Sequence, residues 1–172
     1  MSTQSRADTF NHIRVRPTPP FIAIIHSPDE HIEQLRLLLG PFDFGRTPDY
    51  YLDKYQERKP PVHTKSYTYD GEYANALKEG RGVLVSRLGS LYEGWFKGDR
   101  FHFRGRMIWQ DGTVYEGEWE DDRQHGHGVY RLINGNRWEG RFKKGGPVGK
   151  GKYVTIDGFE DERNFGENCI IF

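Results

Sequence analysis

Cysteine is almost missing from this chain. The single Cys169 cannot form an internal disulfide, so a disulfide-stapled secreted domain is excluded and a reducing compartment is expected. Long apolar runs are missing too. None approaches the roughly 20 residues that a membrane helix needs, and the first residues lack the apolar core of a signal peptide. Net charge is absent, with 25 basic against 25 acidic residues. That argues against the broad positive field of a general nucleic-acid binder, so no nucleic-acid partner is expected. Aliphatic side chains are scarce. Only 35% of residues are hydrophobic, yet 15% are aromatic and 21 are glycine, a balance that suits short strands and tight turns better than a helical bundle.

What is present is a repeat. From Tyr69 the chain falls without gaps into four lines of 23 residues, beginning at Tyr69, Tyr92, Tyr115 and Trp138. The third column is Gly71, Gly94, Gly117 and Gly140. The fifth is Tyr73, Phe96, Trp119 and Phe142. Further glycine columns run through Gly82, Gly105, Gly128 and Gly151, and through Gly89, Gly112, Gly135 and Gly158. Aromatic, glycine and aromatic at positions 1, 3 and 5 share one face of a strand, which sends Glu116, Glu118 and Glu120 to the other. The polar HGHG stretch at 125–128 is expected to turn the chain, with a second strand running from Gly128. Asp111-Gly112 and Asn134-Gly135-Asn136 are strong turn signals. Each unit therefore reads as a β-hairpin, marginal alone and stable when stacked.

The pattern resembles the MORN repeat family over 69–160, a little over half the chain. That resemblance implies a mainly β fold: an elongated, twisted antiparallel sheet of stacked hairpins with an aromatic-lined groove. It also implies a scaffold role, in cilia and flagella, in cytoskeletal assemblies, at membrane junctions, or beside enzyme domains. Unit two departs from the pattern. Phe103 stands where the first glycine of the pair belongs, and Trp95 replaces an acid. Either the turn is locally repacked, or extra aromatic area reaches the surface with Phe101 and Phe103 as contacts.

The organisation expected is an extended Pro-containing arm at 1–26, a helical extension with a Pro linker at 27–62, the repeat sheet at 63–160, and a cap or tail at 161–172. Ser27, Pro28 and Glu30 predict a helix start, with Gly40 as its stop and Ile32, Leu35 and Leu39 on one face. Thr47-Pro48-Asp49 predicts a second short helix with Tyr51, Leu52 and Tyr55 facing one way. So small a helical pair cannot make its own core and should dock on the sheet or on another protein. A Pro-rich arm stays disordered unless something holds it, so a partner subunit is expected to clasp this one.

Residues that could carry chemistry are better explained as structure. His125 and His127 lack the further ligands a zinc site needs, so no metal or cofactor is expected. The Gly126/Gly128 pair opens no helix, unlike a phosphate loop. Glu118, Glu120, Asp121 and Asp122, with Glu116, read as a charged outer edge suited to a partner rather than catalytic carboxylates. Lys143, Lys144, Lys150 and Lys152 form a basic cluster that could meet anionic lipid. The ending CIIF fits a prenylation box at Cys169, but its acidic surroundings favour an apolar cap on the last repeat. Arg6, Arg14 and Arg16 weakly resemble a mitochondrial presequence.

The function expected is a non-enzymatic scaffold or adaptor in a larger protein assembly, with no small-molecule substrate. Tyr69, Tyr73, Tyr92, Phe96, Tyr115, Trp119, Trp138 and Phe142 would line one face, partly as core and partly as a partner groove. The resemblance makes the cytoplasm and cytoskeleton, an axoneme in particular, the leading location. A peripheral membrane tether and a mitochondrial accessory subunit are the alternatives.

Overall fold

A computed structural model describes residues 21, 23, 25–54 and 56–165. The expectations for 1–20, Tyr55 and Cys169–Phe172 lie outside the described residues. Among the described residues one α-helix, α1 (Glu30–Leu39), precedes eleven strands. Two short strands, β1 (Glu57–Arg58) and β2 (Val62–His63), both pair with β3 (Tyr67–Ala74) along one edge. Then follow β4 (Leu77–Ser86), β5 (Leu91–Lys97), β6 (Arg100–Ile108), β7 (Val114–Glu120), β8 (Arg123–Arg131), β9 (Arg137–Lys143), β10 (Gly146–Val154) and β11 (Glu160–Phe165). From β3 onward every strand pairs antiparallel with its sequence neighbours, giving one open sheet in chain order.

The hairpin turns lie earlier than expected. They sit at Asn75-Ala76, Gly98-Asp99, Asp121-Asp122 and Lys144-Gly145, and both residues of each pair have positive φ. That is the two-residue turn whose twist matches the flanking strands. The HGHG stretch is therefore not the turn but part of β8. It carries a bulge, because the register slips between Gly117 opposite Gly128 and Glu118 opposite His125. The acidic pair Asp121-Asp122 makes the turn because Asp tolerates the left-handed region, and Asp122 Oδ1 also accepts the Phe101 N–H at 2.8 Å. The DG and NGN signals do turn the chain, with Gly112 N–H donating to Trp109 O at 2.9 Å and Gly135 N–H to Leu132 O at 3.0 Å.

The glycine columns follow from where the rings lie. Tyr69 lies across Gly71 and Gly82, and Tyr92, Tyr115 and Trp138 cover the corresponding glycines of their own units. A Cβ added at Gly71 would stand 2.2 Å from the Tyr69 hydroxyl oxygen, and one at Gly151 would stand 1.8 Å from the Trp138 ring. Close approach of ring to backbone, not turn conformation, requires glycine at these positions.

The N-terminal extension packs on the opposite face of the sheet. Ile25 and Ile32 join Val83, Val85, Leu91, Ile108 and Val114 in a second core, with Phe21, Ala23, Leu35 and Leu39 against it. The helix begins two residues later than expected. Asp29, not Ser27, is its N-cap, and Asp29 Oδ1 accepts the His31 N–H at 3.0 Å. Ser27 instead supports that cap, accepting the Asp29 N–H and donating its own hydroxyl to Gly89 O at 2.8 Å. The second helix shrinks to a 3₁₀ turn, Asp49–Tyr51. Of the described residues of its expected face, Tyr51 is buried and Leu52 is exposed. The Pro linker is not free either, since Val62 and His63 pair with Tyr69 and Thr68. At the far edge β11 extends the sheet, and the Phe165 ring lies 4.7 Å from Trp138.

Candidate functional site

The aromatic face is a sealed spine. Tyr69, Tyr92, Phe96, Tyr115, Trp119, Trp138 and Phe142 are all buried, while Tyr73 is half-buried at the edge. Rings meet edge to face along it: Tyr69 on Phe96 at 5.0 Å, Tyr92 on Trp119 at 5.5 Å, Tyr115 on Phe142 at 4.8 Å. Each tyrosine hydroxyl donates to the carbonyl three residues on, in Tyr69 to Glu72, Tyr92 to Trp95 and Tyr115 to Glu118, at 3.0, 3.0 and 2.9 Å. Burial pushes these phenols well above the ordinary tyrosine range. Unit four has Trp138 in that column, and its indole N–H has no hydrogen-bond partner among the described residues.

Beside the spine, the sixteenth column forms a half-buried row across the sheet: Leu84, Met107, Tyr130 and Tyr153, with Trp109 near Tyr130. The column is apolar or aromatic in all four units, a signal present in the sequence but less uniform than the glycine and ring columns.

On the opposite face, unit two is closed. Trp95 is buried, stacks on Tyr51 at 5.0 Å and donates its indole N–H to Phe44 O at 2.9 Å. Phe103 has a φ of 56°, and its ring meets Tyr51 at 5.6 Å and Tyr50 at 6.1 Å. Phe101 stacks on Tyr92 at 3.8 Å. Trp95 is thus fully buried, whereas Phe101, on the spine face, and Phe103 are half-buried. In units one and three the corresponding acid and glycine are Glu72 with Gly80 and Glu118 with Gly126. There the carboxylate accepts a bulge amide, Arg81 N–H at 2.6 Å and His127 N–H at 3.1 Å. Unit two exchanges that acid–glycine pair for two rings, and Tyr51 wedges onto them while donating its hydroxyl to Phe96 O. Burial raises the Tyr51 phenol strongly.

A charged cluster fixes the helix. Glu93 and Arg106 are buried and paired at 2.7 Å, and Arg36 of α1 reaches the other Glu93 oxygen at 3.2 Å. Arg106 also donates to Gly40 O at 2.8 Å and Arg36 to Ile25 O at 3.0 Å. Backbone acceptors thus take up guanidinium protons that the acid alone could not.

The charged residues of the expected acidic edge and basic cluster face solvent. Glu118, Glu120, Asp121 and Asp122 are exposed, and Glu120 pairs with His125 at 3.1 Å. Lys143, Lys144, Lys150 and Lys152 are exposed, with Lys152 held to Glu160 at 2.8 Å. Among the described residues no group of three or more His, Cys, Asp or Glu is placed to hold a metal ion. No helix among them is long and apolar enough to cross a membrane.

The MORN repeat model matches residues 69–87, 92–114, 115–137 and 138–159. The chain belongs to the MORN repeat family. A search of curated proteins found no match. Four MORN repeats indicate a scaffold that binds protein or membrane. In this MORN protein the repeat rings form a core, and among the described residues the row beside them is half-buried.

Proposed function

We propose that the protein is a non-enzymatic scaffold subunit of a cytoskeletal assembly, an axonemal one foremost, contacting other subunits through its repeat sheet and N-terminal arm. The observation that carries this reading is the row of Leu84, Met107, Tyr130 and Tyr153. It crosses all four repeats, stays half-buried, and borders the buried spine. Aromatic anchors with little rotamer freedom are what protein contacts use most. Purification from the native source with cross-linking tests it. Co-eluting cytoskeletal subunits, cross-linked to lysines bordering this row, are the expected result. A chain that elutes alone, or that localises by fluorescent tagging to mitochondria, overturns it. The exposed Lys143, Lys144 and Lys150 favour a second reading as a membrane tether. Flotation with anionic vesicles at low salt decides that one, and a chain left at the bottom of the gradient rejects it.

A further inference from the structure

The N-terminal extension repeats one interaction on successive units. On unit one the Phe21 ring lies under the Arg58 guanidinium at 4.5 Å, with Arg81 at 5.7 Å and Val83 beside it. Arg58 is in turn held by Asp70 at 2.9 Å. One unit on, the Phe42 ring lies 5.6 Å from the Arg106 guanidinium and 5.9 Å from that of Arg104. Each seat is a patch of outer sheet face over a glycine ladder, where bare backbone leaves room for a ring between cations.

A third seat follows in register. Arg104 stands opposite Glu118 as Arg58 stands opposite Glu72, and Arg104 pairs with Glu116 at 3.0 Å as Arg58 pairs with Asp70. His127 and Val129 occupy the columns of Arg81 and Val83. Gly117, Gly128 and Gly140 supply the ladder. Arg104, Glu116, His127 and Val129, the three glycines and Arg131 border a hollow of about 410 Å³. One member of the set changes character. Val85 in the first seat and Ile108 in the second are apolar and packed under α1, whereas the third has Arg131, exposed and without an ion pair among the described residues.

We propose that this third seat binds an extended peptide segment of another protein, with a phenylalanine-type ring between Arg104 and His127 and an acidic residue on Arg131. The proposal rests on the scaffold reading and names the partner chemistry for one of its surfaces. The precedent for the ring is the chain's own use of the first two seats. The acid follows from charge complementarity, since Arg131 stands where the first two seats receive apolar groups.

The probe is a synthetic peptide repeating residues 19–25 with Ile25→Asp, titrated into the full isotope-labelled chain and followed by amide NMR. Expected are shifts centred on Gly117, His127, Gly128 and Val129, lost when the peptide carries Phe21→Ala. Arg131→Glu, an exposed position that leaves the fold intact, should weaken binding roughly tenfold and restore it for the peptide with Ile25→Lys. Shifts centred instead on Arg81 and Val83, or on Leu84 and Tyr130, overturn the proposal, as does no binding at millimolar probe. Binding by a chain ending at residue 165 but not by the full chain makes the protein's own tail the occupant. Concentration-dependent dimers broken by Arg131→Glu make it a second copy. Either of those results also overturns the proposal. Native partners that survive Arg131→Glu leave the scaffold reading standing and remove only this seat.

Discussion

Units one and two and units three and four share a backbone plan, a glycine ladder and a spine, yet among the described residues only the first pair is covered on its outer face. Three of the five apolar sheet positions account for the difference. Val85, Leu91 and Val114 on the covered half correspond to Arg131, Arg137 and Glu160 on the bare half. Val83 and Ile108 correspond to Val129 and Val154, which stay apolar. The charged trio of Glu93, Arg106 and Arg36 has its counterpart in Glu139 and Lys152, which pair with Arg137 and Glu160 in partial exposure to solvent. A repeat thus carries two independent messages. One face writes the array, and the other face says what each unit is next to.

The largest expected break in this comparison is at the buried acid. Glu93→Ala leaves two guanidinium groups without their carboxylate and should cost about 3–5 kcal/mol in urea unfolding. The matched Glu139→Ala removes a partly exposed pair and should cost about 0–1 kcal/mol. Equal losses would show that coverage by α1 contributes nothing. Next comes Tyr51→Ala, which empties the wedge between Trp95 and Phe103. It should cost about 3 kcal/mol and raise amide exchange in α1 and residues 40–54 before any change in β9 and β10. Smaller in stability, but sharper in association, is the graft of Arg131→Val with Arg137→Leu. Folding should shift by under about 1 kcal/mol, while sedimentation reveals self-association through the new apolar patch.

The smallest effect is electrostatic. Partial burial, followed by the nearby Lys97, holds the His102 imidazole below its ordinary value despite the neighbouring Asp121. A folded-state value below the unfolded one means the unfolded chain binds the proton more readily. The stability linked to neutral His102 is therefore complete above the unfolded value near 6.5 and declines as the pH falls from there towards the folded value. His102→Gln should flatten that part of the stability profile, measured by urea midpoints between pH 7.5 and 5. An unchanged slope would mean that His102 titrates alike in both states.

Much of the fold was legible. Period, alternation and positive-φ turn chemistry are local, so the spine of Tyr69, Tyr92, Tyr115 and Trp138 and the hairpins could be read directly. The misreadings arose where two local signals competed. HGHG looked like a turn because glycine serves both turns and bulges, and the acidic pair Asp121-Asp122 took the turn instead. Ser27 looked like the cap because Asp29 is equally competent, and contact with Gly89 settled which residue faces the helix. The site was less legible. Trp95 and Phe103 were visible as departures from the pattern, but nothing local says whether a ring meets solvent or Tyr51.

By itself, the sequence determined the array: its period, its inward rings and the glycines that those rings require, since each depends on neighbours within one hairpin. Only the tertiary structure decided which outer face is buried. That choice is made by contacts between distant segments, Arg36 with Glu93, Trp95 with Phe44, Phe21 with Arg58 and Arg81. The physical reason is that alternation sorts side chains between two faces, whereas burial depends on whether a remote segment arrives with groups that match what the face presents.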